Sequence, residues 1–123
     1  MTDEASKRGR ANRRRGHSWE REIAIIFREL WPEAKRGYQA RGGTKEAPDV
    51  DGTPFFIECK RGKKTNIKAA LAQADAACHQ VTETGTVKVD TRPPIAICKD
   101  DRKRATVSLY LDDFLDLMRR FYA

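Results

Sequence analysis

A chain of 123 residues with 39% hydrophobic and 35% charged side chains is sized for a single soluble domain. Its formal charge of +7 favours a polyanionic partner, and no apolar run approaches the roughly 20 residues of a membrane span. The basic N-terminus lacks a following apolar stretch, so no secretory signal is expected. Cys59, Cys78 and Cys98 are odd in number and form no Cys-x-x-Cys pair. They fit small buried hydrophobes in a reducing, cytoplasmic setting and argue against a disulfide framework or a zinc site.

In chain order, residues 1–16 carry Lys7, Arg8, Arg10, Arg13, Arg14 and Arg15 against Asp3 and Glu4, without hydrophobic periodicity. They are expected to be a flexible basic arm preceding one domain over 17–123. Ser18 is the expected N-cap of a first helix. There Trp19, Ile23, Ile26, Phe27, Leu30 and Trp31 recur at helical spacing until Pro32. Glu20 sits at the edge of that stripe, where it could reach the sheet. It could equally be a first-turn acid complementing the helix dipole.

A short strand is expected around 34–40, then a glycine-containing loop with Arg41 and Lys45. That loop lacks the Gly-Lys-Ser/Thr ending of a P-loop. A hairpin follows over 48–60, its second strand ending Glu58-Cys59-Lys60. Because strand side chains alternate, any even-length connection puts Asp49, Glu58 and Lys60 on one face. A four-residue loop 51–54 would set Asp49 opposite Phe56; a two-residue Asp51-Gly52 turn would set it opposite Pro54. Two carboxylates on an otherwise apolar hairpin are costly unless something uses them, and a divalent cation beside a phosphate is such a use. Asp51 is a reserve acid, though Asp before Gly is common in turns. Lys60, Arg61, Lys63, Lys64 and Lys68 form a second basic cluster suited to tracking phosphates.

Asn66 should cap a helix over 67–80 with Ile67, Ala70, Leu71, Ala74 and Cys78 inward. A loop is expected over 82–94, strands at 95–98 and 106–110, and a last helix from Asp112 with Phe114, Leu117, Met118 and Phe121 as its stripe. The order is αβββαββα, an α/β (α+β) fold with a mixed five-stranded sheet flanked by helices. His17 is a candidate DNA contact, with a plain surface residue the competing reading. Cys78-His79 lacks the third partner of a thiol nucleophile.

Pro48-Asp49, Ile57-Glu58-Cys59-Lys60, an upstream helical Glu20 and this element order together resemble the PD-(D/E)xK nucleases, with their restriction-endonuclease-like core. The nearest match is the Holliday-junction resolvases of archaeal and phage type, and the likeness runs from about Gly16 onward. The resemblance implies a Mg²⁺-dependent endonuclease, with Mn²⁺ as substitute, cutting four-way DNA junctions as a homodimer in recombination and repair. It implies Asp49 and Glu58 as metal ligands with the Cys59 backbone carbonyl a third, Glu20 binding metal or its water, Lys60 as the catalytic lysine and Gln73 as an orienting residue. Arg13, Arg14, Arg15, His17, Arg41, Lys45, Arg61, Lys63 and Lys64 would contact DNA. The separation of Asp49 from Glu58 is shorter than in archaeal members. Two alternatives stay open: a repair or restriction-like nuclease of the same fold, and a non-catalytic basic DNA-binding protein.

Overall fold

The computed structural model describes residues 3–38 and 47–123. Helix α1 spans Asp3–Phe27, followed by strands β1 (Lys35–Arg36), β2 (Val50–Asp51) and β3 (Phe56–Gly62) and helix α2 (Ile67–Ala77). Strands β4 (His79–Thr82), β5 (Gly85–Lys88), β6 (Pro94–Asp100) and β7 (Thr106–Ser108) and helix α3 (Leu111–Phe121) complete the order. Among the described residues, five strands form one mixed sheet in the order β1-β2-β3-β6-β7. Only β3 and β6 run parallel; the other pairs are antiparallel.

The parallel pair is the centre of the fold. Strands buried on both faces read as continuous apolar runs, which Phe56–Cys59 and Pro94–Cys98 nearly are. Their alternate residues divide between two helices. Ile57, Cys59, Ile95 and Ile97 pack with Trp19, Ile23 and Ala24 of α1. On the opposite face Phe56 meets Ala74, Ala77 and Cys78, while Ala96 and Cys98 meet Ala70 and Leu71. The alanines of α2 let its backbone lie close to the sheet, and Asn66 caps it by accepting from Ala69 N–H (3.0 Å). All three cysteines are buried and free, as expected.

Four expectations change. The first helix begins at Asp3 rather than at Ser18, so residues 3–16 continue it instead of lacking regular structure. Lys, Arg, Ala and Glu in that stretch are good helix formers, which outweighs the missing apolar stripe. Second, α2 stops at Ala77, and a β4–β5 hairpin over 79–88 replaces the end of the expected helix and the first half of the expected loop, a separate two-stranded ladder standing almost wholly exposed. Third, Ile26 and Leu30 fall on the exposed side of the α1 segment although they belong to its helical stripe. Fourth, β1 covers two residues of the expected 34–40 strand, of which 39 and 40 lie outside the described residues.

Candidate active site

The acids are positioned by the hairpin register. Val50 pairs with Ile57, displaced two residues along β3 from the pairing a 51–54 loop would give. A two-residue slip preserves the face, so Asp49 stays on the side of Glu58 and Lys60 and comes closer to Glu58. Gly52, at φ 78°, makes the turn, in the left-handed region that glycine enters without strain. Beyond the ladder Asp49 N–H donates to Ile57 O (2.8 Å), and its Oδ2 accepts from Cys59 N–H (2.8 Å). The N–H of Cys59 is thus the group that touches the acid, whereas the resemblance points to its carbonyl. Gly37 fixes the other side: its N–H donates to Asp49 O (2.8 Å), and a Cβ there would overlap the Pro48 carbonyl.

Glu58 is 8% exposed at its side chain and pairs with Lys60 Nζ at 3.1 Å. The carboxyl groups of Asp49 and Glu58 lie within hydrogen-bonding reach of each other. Burial, reinforced by the neighbouring charges of Glu58 and Glu20, raises Asp49 to about 7. Burial also raises Glu58, though Lys60 opposes the shift. Both carboxyls are therefore harder to ionise than free acids, with Lys60 favouring the charged form of Glu58. Two buried carboxyls that must share a proton are the arrangement a cation would relieve.

Glu20 lies far inside α1, so the first-turn dipole explanation for it no longer applies. It faces the other two acids closely enough to raise Asp49, and its Oε2 accepts from Arg36 Nε at 2.9 Å. Glu20, Arg36, Gly37, Tyr38, Pro48, Asp49 and His17 line an open polar cleft of about 530 Å³. Arg36 and Tyr38 were not singled out by sequence reasoning. A basic residue in a two-residue strand carries no spacing signal; only the β1–β2 pairing brings Arg36 beside Glu20.

The remaining expected site residues are scattered. Gln73 is exposed on α2 and takes no part in the interactions joining the acids. Arg13 and Arg14 are exposed on α1, and Lys63 and Lys64 are exposed after β3. Arg61 is engaged within the protein, pairing with Glu22 (3.2 Å) and lying over the Trp19 ring at 5.5 Å. The reserve acid Asp51 is held in a clamp: Arg92 Nη1 reaches it at 2.8 Å and Nη2 reaches Asp90 at 2.8 Å. Arg41 and Lys45 lie outside the described residues, as does the side chain of Arg15.

Among the described residues no three His, Cys, Asp or Glu side chains converge as a ready metal cage. Mg²⁺ does not need one, because it keeps several waters and is commonly held by one or two carboxylates. Asp49 and Glu58 supply that number of carboxylates, and Glu20 lines the same cleft as Asp49. Among the described residues no helix is long and apolar enough to cross a membrane. No family model, curated protein or solved structure matches this chain.

Proposed function

We propose that this chain is a Mg²⁺-dependent endonuclease of the PD-(D/E)xK type that cuts branched DNA, with four-way junctions its principal substrate. The observation that carries the reading is that the hairpin register sets Asp49 beside the buried Glu58, with Lys60 Nζ alongside, at the edge of a polar cleft. Structural carboxylates gain nothing from being pressed together under burial, whereas a nucleolytic site needs that density of negative oxygen to hold a cation. The element order and the mixed sheet with its parallel β3–β6 pair support the same fold family.

Asp49 and Glu58 would hold the metal, which when bound supplies Lewis acidity toward a phosphate oxygen and acidifies a water. Glu20 orients water at the cleft side of the pair, with Arg36 fixing its carboxylate. Lys60 pairs with Glu58 and, on its flexible stem, can swing to a phosphate oxygen or to the attacking water. The exposed cations of α1 and of the segment after β3 would follow the DNA backbone, giving salt-dependent affinity. A homodimer would provide two such sites related by a two-fold axis, as paired cuts in a junction require.

The test is incubation of the purified chain with four-way, flap and linear duplex DNA, with Mg²⁺, with Mn²⁺ and with chelator. Metal-dependent cutting of the four-way junction ahead of the others is the expected result. Preferential cutting of flap or linear DNA would move the substrate while keeping the chemistry. Intact DNA of every form after long incubation with either metal would leave a DNA-binding protein without catalysis.

A further inference from the structure

Helix α3 is strongly amphipathic, yet among the described residues it buries none of its own side chains. At 100° per residue Leu111, Phe114, Leu115, Met118 and Phe121 fall within a stripe about 120° wide, wide enough to cover a packed surface. Leu111 is 73% exposed and Phe121 77%. Beside α3 an apolar groove of about 330 Å³ runs between Phe114 and Leu117 on one side and Ile26, Leu30 and Val107 on the other. The exposed Ile26 of α1 and Leu30 in the turn after it thus face the same opening as the uncovered helix. Phe114, Phe121 and Tyr122 alone leave on the order of 400 Å² uncovered. With the aliphatic neighbours the patch approaches the ~800 Å² per partner of a standard interface, beyond what monomers usually display.

Charge identifies the occupant. The first turn of α3 carries Asp112 and Asp113 and the last turn Arg119 and Arg120. Asp112 and Arg119 flank the same border of the apolar stripe, seven positions apart. In an antiparallel pair of identical helices, residues on one border meet their opposites across the axis. Asp112 of one copy then faces Arg119 of the other, and the reverse contact forms by symmetry. The helix dipoles also oppose favourably in that orientation. Within one chain Arg119 pairs with Asp116 at 2.7 Å, but both groups are largely exposed, so exchange for an intermolecular partner costs little.

We infer that α3, together with Ile26 of α1 and Leu30 just after it, is the surface on which two copies of this chain pair, with their α3 helices antiparallel. The alanine-rich face of α2 cannot serve in its place, because the sheet already covers it. This inference rests on exposure and charge and does not depend on the nuclease reading, although it supplies the two-fold axis that reading calls for.

Sedimentation velocity of the full chain at tens of micromolar tests it. The expected species has twice the 14.0 kDa chain mass. Leu115→Glu should raise the dissociation constant at least ~10-fold, with circular dichroism and thermal melting showing the fold retained. Arg119→Asp and Asp112→Arg should each weaken the pair, and the double exchange should recover much of the loss, as coupled partners do. A wild-type monomer throughout, whether α3 closes on its own groove or awaits a foreign partner, overturns the inference. So does a dimer indifferent to Leu115→Glu, or a double exchange without recovery. DNA cleavage is not part of the readout, so the nuclease reading stands or falls separately.

Discussion

Asp49→Asn isolates the energetic cost of the acid pair. Burial raises Asp49 from 3.8 to about 7, so the folded state keeps a proton that the unfolded chain releases. Stability from this group is complete below about pH 3.8. It declines by about 1.4 kcal/mol per pH unit through the interval, and is lost once pH passes 7. The total is up to roughly 4 kcal/mol, trimmed toward roughly 2 by water at the open rim of the cleft. Asparagine reproduces the protonated acid: its oxygen can accept the Cys59 N–H and its amide can donate to Glu58. Wild type and Asp49→Asn should therefore be nearly equal near pH 4 by denaturant unfolding. At pH 8 without divalent metal the variant should be the more stable by 2–4 kcal/mol, a rise of roughly 5–15 °C in Tm for a domain of this size. Taking the difference cancels Asp51 and Asp100, whose carboxyls are lowered by Arg92 and Thr65 respectively and act in the opposite sense. Mg²⁺ at a hundredfold over its Kd should return about 2.7 kcal/mol to wild type at pH 8 and little to the variant. A difference that stays flat with pH, or a variant less stable than wild type at pH 8, would refute the shared-proton argument. Equal stabilisation of both proteins by Mg²⁺ would separately refute the metal assignment.

Lys60→Ala should reduce junction cleavage by at least ~10²-fold while gel-shift binding changes little, because many exposed cations remain. Nicking at the wild-type rate would remove Lys60 from the chemistry. Arg92→Ala takes the guanidinium from Asp90 and Asp51 and should cost roughly 2–3 kcal/mol, read as a fall in denaturation midpoint at neutral pH; an unchanged midpoint would deny the clamp its role. Gly37→Ala forces the Pro48 carbonyl away and should disturb Asp49, weakening Mg²⁺-linked stabilisation more than basal stability; loss of both in equal measure would mean a general folding defect. Arg13→Ala with Arg14→Ala should lower junction affinity and reduce the slope of log affinity against log salt by roughly 2. An unchanged slope would show that these side chains do not touch phosphate.

How much of this was legible from the residues depended on the range of the interaction that decided it. Local alternation along Phe56–Gly62 placed Glu58 and Lys60 on one face, and parity alone put Asp49 with them, whichever even loop closed the hairpin. The Asn66 cap, the alanine face of α2 and the burial of three cysteines likewise follow from neighbours in sequence. The register did not, because Asp51-Gly52 and the four residues 51–54 are both adequate turns. The observed pairing is one in which Gly52 turns beside the Glu33 carbonyl and the Asp49 side chain meets Cys59 N–H. Extension of α1 back to Asp3 was hidden because helix propensity without an apolar stripe is a weak signal. The β4–β5 hairpin was hidden because a polar, exposed ladder has no hydrophobic period to read.

Residue identity and strand alternation settled the chemistry on offer: paired acids, an adjacent lysine, and cations in two clusters. Tertiary structure decided which acids count. It bound Asp51 to Arg92, brought Arg36 across from β1 to Glu20, and pressed Asp49 against Glu58 until one proton must serve both. It also left Ile26, Leu30 and the stripe of α3 without cover on the outside. The physical reason is that burial and charge proximity are set by chain segments far apart in sequence, and only folding fixes the distances on which both depend.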